Sequence, residues 1–268
     1  MITIGECINS TSKRVSKAVK EKDGQFLLEL ARSQSEAGVD YIGVNVGTGR
    51  GSIEEEVSDI KWLVGLIQDN IDGAICIDSS DPDVITAGME VRGDRPTMIN
   101  SVKAQKKNMD IILPLAKAKN APLVGLAMDE TGVPSTKSGR LAVCEILING
   151  LRENGIPPHQ LYIDPIVMPV STGDSQGLTT LETLKEIKET FPEVKTVLGL
   201  SNISFGMPGR TYINQAMLSI AMYLGLDAVI INPLDQDLDR VIKATDAIMA
   251  RDRRCRRYLK AYRKGVTV

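Results

Sequence analysis

Residues 2–14 read ITIGECINSTSKR, and this stretch decides between the two folds that the alternating pattern of the chain allows. Its first half is a short β-branched run, the mark of a strand buried on both faces in a parallel sheet. An open doubly wound sheet would follow its first strand with a glycine-rich phosphate turn, G-x-G-x-x-G. Here GECINSTSKR follows instead. Working outward, seven further runs of the same kind recur: YIGVNV (41–46), AICIDS (74–79), TMINS (97–101), LVGLAM (123–128), LYIDPI (161–166), TVLGLSNI (196–203) and AVIIN (228–232). Helical periodicity fills the gaps, in Leu27, Leu30 and Ala31, and in Ile60, Leu63, Val64 and Ile67, with Ser52 and Glu55 spaced as a capping box ahead of the latter. It returns in Ile213, Met217, Ile220 and Leu224 and in Leu238, Val241, Ile242 and Ile248. Eight strand-helix alternations over about 250 residues predict an α/β fold, a single-domain (β/α)₈ or TIM barrel. The barrel is expected over residues 1–250, with residues 251–268 as a basic helix or tail appended to it.

Composition narrows the chemistry. His159 is the only histidine, which excludes mechanisms and zinc sites that need two. Cys7, Cys76, Cys144 and Cys255 form no C-x-x-C pair, so neither a disulfide framework nor a metal site is expected on this chain. No apolar run is long enough for a membrane span, and the N-terminus has no basic stretch ahead of an apolar one. A cytoplasmic protein without a membrane partner is the expectation. The formal net charge of -2 hides an uneven distribution: residues 251–264 carry +7, which leaves -9 on the rest. Such a basic segment reads as a solvated face or as a docking surface for an acidic partner. The acidic body and the lack of a binding module disfavour nucleic acid.

The informative residues are polar ones set into apolar strands: Glu6 and Asn9, Asn45, Asp78, Asn100, Asp164, Asn202 and Asn232. A buried carboxylate or carboxamide must be hydrogen-bonded. Taken alone, Asp78 or Asn232 reads equally well as a helix cap. Seven or eight together at strand ends are poorly explained by capping. In a barrel the loops after the strands form the face that carries the site, and GTGRG (47–51), TGVP (131–134), PVSTGDSQG (169–177) and FGMPG (205–209) fall there. A ring of Asn and Asp with no His or Lys to serve as base suggests a neutral heterocycle with many hydrogen-bonding edges, such as a pterin, whose adjacent N–H and amine groups suit a carboxylate. Asp78 and Asp164 as a hydrolytic carboxylate pair is the other reading of the same residues.

In order, GECIN (5–9), VNVG (44–47), CIDS (76–79), MINS (98–101), TGVP (131–134), YIDP (162–165) and GLSNIS (199–204) resemble the pterin-binding methyltransferase family. Within it the resemblance is strongest to the methyltetrahydrofolate:corrinoid protein methyltransferases. It implies an enzyme that exchanges a methyl group between N5 of tetrahydrofolate and the cobalt of a corrinoid. Tetrahydrofolate or methyltetrahydrofolate is then a substrate, and the corrinoid belongs to a separate partner protein, because the base-off cobalamin signature needs a histidine and His159 lies in PPHQ. The resemblance also implies a homodimer. Carried over, Asp78, Asn100 and Asp164 are pterin anchors and Asn202 is the catalytic side chain reaching toward N5. Glu6, Asn9 and Arg210 match family positions in the same substrate site. Phe205 and DETG (129–132) depart from the family pattern, and these departures lean the direction toward tetrahydrofolate as methyl acceptor. Methyl donation by methyltetrahydrofolate, a dihydropteroate synthase and a folate binder without activity are the competing readings. The synthase is expected to carry an Arg-x-His near its last strand, which this chain lacks.

Overall fold

The computed structural model describes residues 1–49 and 51–263. Arg50, in the loop after the second strand, and residues 264–268 of the predicted basic tail lie outside the described residues. Eight parallel strands close in sequence order: β1 (Ile2–Asn9), β2 (Tyr41–Asn45), β3 (Ile75–Asp78), β4 (Thr97–Ala104), β5 (Leu123–Asp129), β6 (Leu161–Asp164), β7 (Lys195–Gly199) and β8 (Ala228–Ile231), with β8 paired back to β1. Around them run α1 (Lys13–Lys20), α2 (Gly24–Glu36), α3 (Ile53–Asn70), α4 (Pro82–Val91), α5 (Lys106–Lys119), α6 (Lys137–Glu153), α7 (Gln176–Thr190), α8 (Arg210–Tyr223) and α9 (Gln236–Ile248). The basic segment forms α10 (Arg256–Arg263), packed beside α9 through Arg257, whose guanidinium lies 3.1 Å from the buried Asp246. Among the described residues no helix is long and apolar enough to cross a membrane.

The two-residue period of the strands sorts the side chains into layers. Ile77, Ile99, Ile163, Leu198 and Val229 face outward into the helix-packed cores. Ile4, Cys76, Met98, Val124, Tyr162, Val197 and Ala228 face inward and form a separate apolar plug inside the barrel. Two residues further along the same strands stand Glu6, Asp78, Asn100, Leu126, Asp164, Gly199 and Ile230, which all line one cavity above the plug. Glu6, Asp78, Asn100 and Asp164 of the polar ring read from the sequence therefore belong to the next inward rank of the barrel, Asn9, Asn45 and Asn202 join the same cavity from outside that rank, and Asn232 lines only a neighbouring one.

Four local differences from the sequence pattern have physical causes. Residues 13–20 form α1, which burial of Val15, Ala18 and Val19 holds in place although most of its side chains are polar. β7 ends at Gly199, and residues 200–204 coil into a 3₁₀ turn, so Asn202 stands on a loop and not on a strand. On α8 the face toward the barrel is Met217, Leu218, Ala221 and Met222, and Ile220 points outward, 47% exposed. On α9 the buried positions are Leu238, Thr245 and Asp246, and Ile248 is 86% exposed. The capping box ahead of α3 is formed as the spacing predicts: Ser52 Oγ accepts the Glu55 N–H at 3.2 Å, and Glu55 Oε2 accepts the Ser52 N–H at 3.3 Å.

Candidate active site

Asp78 and Asn100 are register partners across β3 and β4, and Leu126 pairs with Asp164 across β5 and β6. These side chains share a cavity of about 610 Å³ with Glu6, Asn9, Asn45 and Asn202. Helix capping falls to other residues. Asp81 caps α4, its Oδ1 accepting the Asp83 N–H at 2.8 Å, and Asp235 caps α9. Asp78 is thereby left to accept from Asn45 Nδ2 at 3.0 Å, while Asn45 Oδ1 holds the Gly47 N–H at 2.9 Å. Asn232 tightens the loop after β8 by accepting the Leu234 N–H at 3.0 Å. Asn9 does the same after β1, accepting from Thr11 N at 3.0 Å.

The carboxyls are tuned by where they sit. Burial pushes the Asp78 carboxyl up to about 6, with the Asn45 amide pulling against it. Burial also lifts Asp164 to about 6, opposed by the Ile166 N–H, the charge of Arg140 and the Gly199 N–H. Glu6 is raised by burial, opposed by the Ser201 hydroxyl and Arg210, while the charge of Asp78 raises it further. Each is an acceptor whose ionised form lacks full compensation within the protein, so a ligand donor is favoured there.

Arg140 is one of two residues that sequence reasoning missed. It is 1% exposed, and its Nε donates to Pro134 O at 3.0 Å while Nη1 donates to Pro165 O at 2.8 Å and Ile166 O at 2.9 Å. These bonds tie the loop after β5 to the turn after β6, where Ile166 is held at a φ of 65° and its N–H meets Asp164 Oδ1 at 2.8 Å. The signal lay in the periodicity of α6, whose core face reads Arg140, Val143, Cys144, Leu147, Leu151, an arginine among apolar residues. Lys103 was missed for another reason. β4 continues to Ala104, past the predicted end at Ser101, and so brings Lys103 to the cavity wall, its Nζ donating to Ser80 O at 3.1 Å. The expectation of a ring without lysine is corrected accordingly.

Asn202 comes to the cavity from the 3₁₀ turn, folded back over Gly199, where a Cβ would stand 3.2 Å from Asn202 Nδ2. Arg210 does not line this cavity. Its Nη2 donates to Ser201 O at 2.7 Å and its Nε to Ser204 Oγ at 3.0 Å, so it braces the turn that presents Asn202. It borders a second cavity of about 230 Å³, which shares Glu6 and Ser201 with the first. The departures at Phe205 and DETG stand outside both linings. Phe205 is 65% exposed, and Asp129 folds onto Thr131, whose N–H and hydroxyl it accepts at 2.8 and 2.7 Å. His159 sits ahead of β6, at the opposite end of the barrel from the cavity.

A closed parallel barrel thus brings the carboxyls of Glu6, Asp78 and Asp164 and the carboxamides of Asn9, Asn45, Asn100 and Asn202 into one cavity at the C-terminal ends of its strands, the place where enzymes of this fold carry their sites. The chain belongs to the pterin-binding enzyme family, whose model matches residues 5–232. It is 35% identical over 267 residues to the methylcorrinoid:tetrahydrofolate methyltransferase of Eubacterium limosum, covering 99% of this chain and 97% of that protein. It is 30% identical over 252 residues to the methionine synthase of Mycobacterium tuberculosis, spanning 87% of this chain and 20% of that longer protein. In fold it is similar to 7,8-dihydropteroate synthase from Vibrio fischeri, with a TM-score of 0.69 at 18% identity, 93% of each chain being covered. The Yersinia pestis dihydropteroate synthase in complex with a sulfonamide drug gives 0.71 at 16% identity, covering 93% of this chain and 94% of the other. At such identities the likeness to these synthases is one of fold.

Proposed function

We propose that the chain transfers a methyl group between N5 of tetrahydrofolate and the cobalt of a corrinoid carried by a separate protein, with the methylcorrinoid as donor. The observation that carries the reading is the single inward rank of Asp78, Asn100 and Asp164 above the apolar plug, with Asn202 brought over it from the following turn. Asp78 and Asp164 accept the N–H donors of the pterin, and Asn100 serves ring atoms that alternate between donor and acceptor. Glu6 and Asn9 complete the wall on the β1 side. Arg210 supports the site through the Ser201 carbonyl. Methyl transfer at nitrogen changes the charge on N5, and an amide that re-aims its hydrogen bond as that charge develops favours the transition state over the ground state. Asn202 has that role. The direction is supported by the likeness to the Eubacterium limosum protein and not by Phe205 or residues 129–132, which stand away from the cavity.

The homodimer belongs to the same reading. It is supported by Tyr212, Ile220 and Tyr223, which are 78%, 47% and 75% exposed and fall on one stripe of α8. Light scattering on the wild type and on Ile220→Lys tests it: a dimer that the variant converts to monomer supports the reading, and a monomeric wild type removes it. The activity is tested anaerobically by mixing the protein with methylcobalamin and tetrahydrofolate, or with cob(I)alamin and methyltetrahydrofolate, and following the cobalt spectrum. A folate-dependent change is expected. No change with free cobalamin or with a cognate corrinoid protein overturns the assignment.

A further inference from the structure

Glu6 is the wall between two cavities. It lines the large one together with Asp78 and Asn202, and the small one together with Arg210, Asn214 and Asp235. Ser201 also belongs to both, and its Oγ donates to Glu6 Oε2 at 3.3 Å. Its carbonyl is pinned by Arg210 at 2.7 Å, so the hydroxyl next in sequence to Asn202 is fixed beside the Glu6 carboxyl. The small cavity is polar and has room for water molecules of about 30 Å³ each. On its wall the buried Oδ1 of Asn214 finds no hydrogen-bond partner among the described residues, the kind of acceptor that internal water serves.

The other two carboxyls of the inward rank are committed. Asp78 is engaged by Asn45 and Asp164 by the backbone of the turn after β6, and in the proposed function both must stay ionised to accept pterin donors. Glu6 is free to change its protonation. The charged groups that share its two cavities are Asp78 on β3, Lys103 on β4, Asp164 on β6, Glu56 on α3 and Asp81 at the head of α4 in the large one, and Arg210 on α8 and Asp235 at the head of α9 in the small one, while the neighbouring Cys7 thiol, turned to the other face of β1, is pushed up to about 11 by burial and the charge of Glu6. Arg210 favours the carboxylate and Asp78 opposes it, a balance suited to a group that takes up and releases a proton in turn.

Resting on the methyl-transfer reading, we propose that Glu6 is the proton relay of the reaction, moving the N5 proton between the large cavity and solvent by way of the small one. When the N5 lone pair bonds to the methyl carbon, the cobalt–carbon bond breaks with its electron pair left on cobalt, and N5 carries both a methyl group and a proton. The N–H bond then gives its electron pair back to N5, and the proton passes to the Glu6 carboxylate, directly or through the Ser201 hydroxyl. From Glu6 it leaves to water on the Asn214 side. In the opposite direction the protonated Glu6 supplies the same proton to N5.

The test compares wild type, Glu6→Gln, Glu6→Asp and Asn214→Leu, the last removing an unpartnered acceptor and leaving Glu6 in place. Folate affinity is read by fluorescence titration, and single-turnover methyl transfer from methyltetrahydrofolate to cob(I)alamin is followed from the cobalt spectrum across pH. The wild-type rate is expected to fall as pH rises above the titration of the relay. Glu6→Gln should be slower by roughly 10²-fold or more and lose that limb, with folate affinity changed by less than about threefold. Glu6→Asp should restore the limb. With an indicator dye in the methylcobalamin direction, Asn214→Leu should release its proton later than wild type at unchanged folate affinity. A Glu6→Gln enzyme that keeps the rate and the limb, or loses affinity as much as rate, overturns the relay alone. A wild type inert with both cobalt forms overturns the methyl-transfer reading and the relay with it.

Discussion

Lowering the pH should weaken folate binding steeply, and the structure sets the position and slope of the effect. Asp78 and Asp164 are both pushed up to about 6 by burial. In the proposed complex each accepts an N–H from the pterin, so only the ionised form binds well, and at pH 8 both are ionised already. As pH falls through 6, each carboxyl must lose a proton before the ligand is accepted, and binding releases that proton to the buffer. By linkage, one such carboxyl weakens the observed affinity about 11-fold at pH 5, and two acting independently weaken it about 120-fold. The plot of log Kd against pH should therefore be flat above 7 and approach a slope of two below 6. Anaerobic titration calorimetry with tetrahydrofolate, in two buffers of different ionisation enthalpy, reads both the affinity and the proton release, with the titration of the free ligand subtracted. Asp78→Asn and Asp164→Asn should each reduce the limiting slope to about one. A Kd unchanged between pH 8 and 5, or a slope of two that persists in Asp78→Asn, refutes the assignment of these carboxyls as ionised anchors.

The same raised carboxyls have the opposite effect on the unliganded fold. A folded-state titration raised from 3.8 to about 6 favours the fold at low pH and costs up to about 3 kcal/mol once pH exceeds 6, so Asp78→Asn should raise the melting temperature of the ligand-free protein at pH 8, a gap that closes near pH 4. Arg140→Met leaves Pro134, Pro165 and Ile166 carbonyls without their donor and should destabilise the protein by roughly 3–5 kcal/mol in urea denaturation, with folate affinity reduced through the displaced Asp164. Arg140→Lys should recover only part of that loss, because an ammonium lacks the planar fork. Asn202→Ala should slow turnover about 10²-fold with little change in folate dissociation constant, and equal losses in both would remove Asn202 from the chemical step.

The barrel and its polar rank were legible because one period serves both purposes. In CID (76–78) and MIN (98–100) the apolar plug residue and the polar residue two places on are both visible in the sequence, and the pattern repeats in YID (162–164). Which polar residue caps a helix was less legible. Asp78 and Asp81 occupy one short stretch, and only the fold shows Asp81 taking the Asp83 N–H. Ile220 and Ile248 follow helical spacing but lie outside the arc that meets the barrel, since a period of 3.6 gives the repeat of a stripe and not its bearing. Lys103 was hidden by a strand end placed three residues early, an ordinary error where pairing with β5 extends a strand beyond its apolar run. Arg140 is the instructive omission, because a charged residue on the apolar face of a helix is as informative as one in a buried strand.

The spacing of two between the plug and the functional rank also determines which changes in chain length the enzyme tolerates. An insertion or deletion in a loop leaves every strand in register and can reshape the mouth of the cavity. One residue added within β3 ahead of Ile77 would turn the Asp78 carboxyl outward into the helix packing and present Ile77 to the ligand. The strands therefore behave as a reading frame for the chemistry, and the loops as text that can be lengthened or replaced while that frame is kept.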